Sequence, residues 1–229
     1  MGRTVLFSVA LCVCAALGAA QAPASQPRKF VRQIDNPWLP FKSGMEWVYR
    51  GAKDGKPSRD VVRVTTATRM IDRVRCTAVS DRLYLRGKLA ERTTDWYAQD
   101  SSGNVWYYGE ATAELDAKGR VKTTEGSWLA GVHGARPGIV MPAHPRVGQT
   151  FRQEYYKGHA EDHFQVLSVS STVRVPFVAS KHALLTKEWT PLEPDVLDHK
   201  VYVRGIGMVK EQTVKGGDER AVLVSLRRG

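Results

Sequence analysis

From Glu46 to Leu226 the chain alternates short runs of β-branched and aromatic residues with turns built on Gly, Asp and Pro. Past an N-terminal apolar run, no stretch keeps a 3.6-residue amphipathic period over three turns. Helices packed on a core are therefore excluded. Many short strands at close spacing predict an all-β protein: an antiparallel meander closing as a barrel or folding as a sandwich, lipocalin-like in general architecture. The stretch 132–148 breaks the pattern. Its prolines and glycines predict a long loop, which we expect to act as a lid.

The densest chemistry lies at 94–110, TDWYAQDSSGNVWYYGE. Asp100-Ser101-Ser102-Gly103 separates two runs of β-formers and predicts a hairpin. Alternation places Asp95, Tyr97 and Gln99 on one face of the first strand, with Trp96 and Ala98 on the other. A four-residue loop pairs Tyr97 with Trp106 and gathers Asp95, Tyr97, Gln99, Trp106, Tyr108 and Glu110 on one mixed face. A three-residue loop with a bulge slips the register and regroups these side chains. The mixed face is expected to wall a pocket in which Tyr97, Gln99, Trp106 and Tyr108 contact a ligand, with Lys200, Asp95 and Glu110 orienting it. The competing reading is that the rings form cross-strand pairs that only stabilise the sheet.

Acid–base catalysis needs two carboxyl groups facing one gap. Asp95, Glu110, Glu161 and Asp162 are the candidates, with Glu154 beside them. In the segment 159–163, extended backbone aligns His159, Glu161 and His163, a ligand set suited to zinc or a similar divalent metal. A turn at the same place splays them. The cofactor expectation is therefore none, with a divalent metal as the alternative. HExxH, GxSxG, a phosphate-binding Walker loop and GxGxxG are all missing.

The chain begins Met-Gly-Arg, runs apolar from Val5 to Ala20 and then turns polar and Pro-containing. That pattern predicts a secretory signal peptide over 1–20, cleaved after Ala20, and a periplasmic or secreted protein. An extended lead-in over 21–43 and a single barrel-like domain over 44–229 follow. Cleavage leaves Cys76 as the one cysteine, which cannot staple a fold and reads as a buried apolar residue. The net charge of +11 is spread over many strands with no basic run. That argues against nucleic acid as a partner and favours peripheral contact with an anionic envelope surface. A monomer taking a small-molecule ligand is expected.

Several motifs point further. Ile34-Asp-Asn-Pro-Trp-Leu-Pro40, the 94–110 stretch, Ala160-Glu-Asp162 and Pro191-Leu-Glu-Pro194 together resemble a recurrent family of exported bacterial β-rich proteins of unknown function. The resemblance covers most of the mature chain. It implies export and attaches no particular reaction. Glu161 and Asp162 fall inside its pattern, whereas His159 and His163 flank it. Across these readings the leading function is small-ligand binding. A hydrolase using a carboxylate pair or a held metal, and a structural envelope factor, are the alternatives.

Overall fold

A computed structural model describes residues 28–229, so the predicted signal peptide lies outside the described residues. Every named element is a strand: β1 (Phe30–Val31), β2 (Glu46–Lys53), β3 (Lys56–Ile71), β4 (Val74–Leu85), β5 (Lys88–Asp100), β6 (Val105–Leu115), β7 (Val121–Thr123), β8 (Trp128–Leu129), β9 (Arg136–Met141), β10 (Thr150–Arg152), β11 (Glu154–Tyr155), β12 (His163–Arg174), β13 (Ala179–Trp189), β14 (Leu197–Val203), β15 (Gly207–Lys215) and β16 (Arg220–Arg227).

These strands form one 16-stranded antiparallel sheet whose main path runs from β10 and β12 through β16, β2 and β6 to β9 and β11. The two ends of that path, β10 and β11, are separated in sequence by Gln153 alone. β10 pairs with β12 on one side and β11 with β9 on the other. The sheet thus curls back on itself through one kinked strand, and curling of this kind removes the free edges that would otherwise template aggregation.

Local chemistry fixes the meander. Asp54 and Gly55 both have positive φ, 51° and 65°, and link β2 to β3 as a two-residue hairpin turn. Such turns match the right-handed strand twist. Arg86-Gly87 does the same between β4 and β5. Trp47, Tyr49, Val64, Val79, Val209 and Leu223 fill the middle of the barrel, while Ile34, Trp38, Leu39, Met141, Phe164 and Leu184 close one end. Cys76 is fully buried with Trp96, Ala98 and Tyr108 in a third cluster, and burial pushes its thiol up to about 12.

The stretch 132–148 is not one loop. β9 runs through it and pairs with both β6 and β11. Its glycine serves close packing here: a Cβ on Gly138 would overlap the Arg152 carbonyl. The lead-in is equally integral, because β1 pairs with the end of β5 and residues 34–41 pack into the barrel end. Gln99 pins it. Its side-chain oxygen accepts from the Asp35 and Asn36 amides at 2.9 and 2.8 Å, and its amide donates to Asp35 Oδ1 at 2.7 Å. Gln99→Met should therefore cost about 1–3 kcal/mol, the penalty for orphaned buried donors, read from urea unfolding. A cost near zero would show that the Gln99 bonds do not hold the lead-in.

Candidate functional site

The hairpin β5–β6 takes the three-residue loop. Gln99 pairs with Val105, Ala98 with Trp106 and Tyr97 with Tyr107, so the pairing of Tyr97 with Trp106 is corrected. A bulge follows, since Trp96 faces Gly109 and leaves Tyr108 without a partner. Gly109 carries φ 139°, and a Cβ there would collide with the Trp128 carbonyl. The slip exchanges faces. Trp106 and Tyr108 turn toward the Cys76 cluster, away from Tyr97. The Trp106 indole N–H donates to Asp100 Oδ2 at 2.9 Å beneath the Arg28 guanidinium, and Tyr108 packs edge-on against Phe30. Gln99 is committed to the lead-in. None of these three lines the interior cavity.

The structure instead brings Tyr97 against Tyr107, stacked at 4.8 Å, and Tyr97 against Phe41 at 5.0 Å. These rings stand beside an interior cavity of about 220 Å³. Strands far apart in sequence wall it: Trp47 and Tyr49 from β2, Asp60 from β3, Asp81 from β4, Asp95 and Tyr97 from β5, Lys200 and Tyr202 from β14, and Glu211 from β15. Leu39, Phe41, Val140, Gln153 and Met208 are among the other lining residues. Of the predicted site residues, Asp95, Tyr97 and Lys200 meet here.

Lys200 is the ammonium of the site. Its Nζ lies 2.9 Å from Glu188 Oε2 and 3.3 Å from Glu211 Oε1, the latter its direct cross-strand partner. Burial would lower its pKa, but Glu188 and Glu211 outweigh that and hold it well above the ordinary lysine range. Glu188 also accepts from Tyr202 at 3.4 Å and Thr186 at 3.2 Å. Asp60 and Asp81 form a second group. Burial first, and then each other's proximity in the case of Asp60, push this coupled pair upward, Asp60 to about 10, so the pair holds a proton at neutral pH. Asp60 Oδ1 is buried with no hydrogen-bond partner among the described residues.

Asp95 and Glu110 face each other directly across the hairpin. The Tyr107 hydroxyl donates to Asp95 Oδ1 at 2.6 Å and also lowers Glu110 from close by, so it stands in the gap an acid–base pair would need. Burial raises Asp95 well above the carboxylate range. Burial, reinforced by Glu154, lifts Glu110 to about 8. Glu154 in turn accepts the Trp128 indole N–H at 2.6 Å and is itself lifted to about 8, by burial and then by Asp162. A string of protonated carboxyl groups thus runs from the cavity toward β11. Such groups act as hydrogen-bond donors at neutral pH.

The segment 159–163 does not converge. His159 Nδ1 bonds Glu125 Oε1 at 2.8 Å and its ring stacks on Tyr156. Glu161 accepts the Gly158 amide at 2.8 Å, while His163 stacks on Trp189. The hairpin turn at 156–160 splays them, and among the described residues no group of three or more His, Cys, Asp or Glu is placed to hold a metal ion.

Asp60, Asp81, Glu188, Glu211, Tyr49, Tyr107 and Tyr202 were missed by sequence reasoning. Their signal is phase. Asp60 lies two and four residues before Val62 and Val64, Asp81 two after Val79, and Lys200 two before Tyr202, so each charge is in step with inward apolar residues.

No protein-family model matches the chain, and no curated protein matches it either. Two solved structures are similar in trace. An exported-protein candidate with a YmcC-like fold from Bacteroides fragilis is 16% identical with a TM-score of 0.48, over 83% of this chain and 99% of the other. A lipoprotein candidate from Parabacteroides distasonis is 9% identical with a TM-score of 0.44, over 88% and 100%.

Proposed function

We propose that the protein is an exported binding protein that holds a small polar-aromatic or amphiphilic molecule inside its barrel. The observation that carries this reading is the cavity itself. Protein interiors are packed to crystal-like density, and buried polar groups are almost always partnered. Here about 220 Å³ stays open beside rings and carboxyl groups, and Asp60 Oδ1 is orphaned at its wall. The volume exceeds the ~150 Å³ cavity that accommodates benzene and falls below the ~300–1,000 Å³ of pockets for drug-sized ligands. A compact ligand suits it.

Export rests on the N-terminal 1–20 pattern. With Asp60, Asp81, Asp95, Glu154, Glu188 and Glu211 drawn inward, the outer face carries exposed Arg59, Arg63, Arg69, Arg75, Lys88 and Arg92. That face suits peripheral contact with an anionic envelope surface.

Trp47 lines the cavity and reports on it. Titrating the mature protein with a panel of monosaccharides, small aromatic acids and short amphiphiles should change its tryptophan fluorescence saturably for at least one compound. Val140→Trp, which fills the void from β9, should abolish that response without lowering the melting temperature. Equal binding by both proteins would place the ligand elsewhere, and a silent panel would remove the binding reading.

A further inference from the structure

We propose that the cavity takes a small organic cation: an ammonium group on a short aromatic or aliphatic body. The inference deepens the binding reading and rests on it. Four carboxyl groups line the void, Asp60, Asp81, Asp95 and Glu211, against one ammonium. That ammonium is already engaged, bridging Glu188 and Glu211. Among the described residues no Lys, Arg or His forms an ion pair with Asp60, Asp81 or Asp95. No cation among the lining residues is left to answer Asp60, Asp81 and Asp95, so protons are held within this group of carboxyls instead; an entering ammonium supplies the missing countercharge and displaces a proton to water.

One orphaned group marks where that donor belongs: Asp60 Oδ1 is buried at the wall with no hydrogen-bond partner among the described residues. An anion offers it no donor and opposes ionisation of the carboxyl groups beside it. A bare metal ion needs ligands converging on one point, and these carboxyl groups ring the void without converging. An ammonium offers three donors pointing in different directions, enough to reach several walls at once. Its organic body then lies among Phe41, Trp47 and Tyr97, whose ring faces attract a cation by about 0.5–2 kcal/mol each when desolvated.

Calorimetry on the mature protein at pH 7 with matched trios tests this. Benzylammonium, benzyl alcohol and benzoate share one shape and differ in head-group charge, as do n-butylammonium, n-butanol and butyrate. At least one ammonium should bind about tenfold or more tightly than its alcohol, with its carboxylate showing no heat. Asp81→Asn should bring ammonium and alcohol within about threefold of each other. Val140→Trp should erase all binding. Alcohols binding as well as ammonium ions would overturn the cation while keeping the cavity as a site. Sugars binding where both ammonium ions fail would do the same. Silence across every probe, or binding that survives Val140→Trp, would overturn both readings.

Discussion

Lys200→Met should lower stability by about 3–5 kcal/mol at pH 7.5, the cost of breaking a buried ion pair by removing one partner. The side chain bridges Glu188 at 2.9 Å and Glu211 at 3.3 Å, and Glu188 is almost wholly buried. Without the ammonium these carboxylates, and Asp81, Glu154 and Asp162 whose charge it also eases, face one another uncompensated. Protonation offers them an escape, so the deficit should shrink at pH 5. Urea unfolding at both pH values checks this, and Lys200→Met combined with Glu188→Gln should recover part of the loss. A pH-independent deficit under about 1 kcal/mol would mean that Lys200 is solvated and pairs only loosely.

The second large effect is a stability that falls as pH rises through neutrality. Glu110 and Glu154 titrate near 8 in the folded protein, against an ordinary 4.5. Between those values the folded state holds protons that the unfolded chain has released, so folding gains stability below about 4.5 and surrenders it progressively up to about 8. Each net proton changes stability by about 1.4 kcal/mol per pH unit. Coupling between the two groups and relaxation of the site reduce the full value. We expect a loss of roughly 3 kcal/mol between pH 5.5 and 8, a fall of about 6–12 °C in melting temperature. Asp100 works in the opposite direction. Burial would raise it, but hydrogen bonds from Asn104, Trp106 and Ser102 lower it, so its contribution disappears only as acid titrates it below its ordinary range. Glu154→Gln keeps an acceptor for Trp128 and should flatten the neutral slope. Calorimetric melts of both proteins from pH 5 to 8.5 provide the test. A wild-type melting point that climbs toward pH 8 would contradict the protonated string.

The architecture was legible because its signals are local. Turn residues such as Asp54-Gly55 and period-two runs such as Glu46-Trp47-Val48-Tyr49 act within a few residues, and each becomes the expected turn or strand. The hairpin faces depended on one residue. A three-residue loop pairs Tyr97 with Tyr107 and turns Trp106 and Tyr108 toward the Cys76 cluster, and the bulge at Tyr108 then shifts the register so that Glu110 faces Asp95. Nothing in YYGE distinguishes that slip from regular pairing except Gly109, whose positive φ is visible only in three dimensions. The strand β9 was hidden for a related reason: Pro137 and Gly138 resemble loop residues, yet the glycine is there to admit the Arg152 carbonyl. The cavity was least legible. Asp60, Asp81, Lys200 and Glu211 are far apart in sequence, and only the pairing of the last strand, β16, with the first long one, β2, brings β14 and β15 round to β3 and β4 beside one void. For Asp95, Tyr97 and Lys200, the three site residues that do meet, the useful signal was polar chemistry in phase with core residues.

A crystal structure of the mature protein soaked with benzylamine tests the central claim most directly. The account predicts electron density for the ring between Phe41, Trp47 and Tyr97, with the nitrogen in hydrogen-bond reach of the Asp60–Asp81 pair. A barrel centre closed by repacked Tyr97 and Met208 side chains, with no space for any occupant, would contradict it.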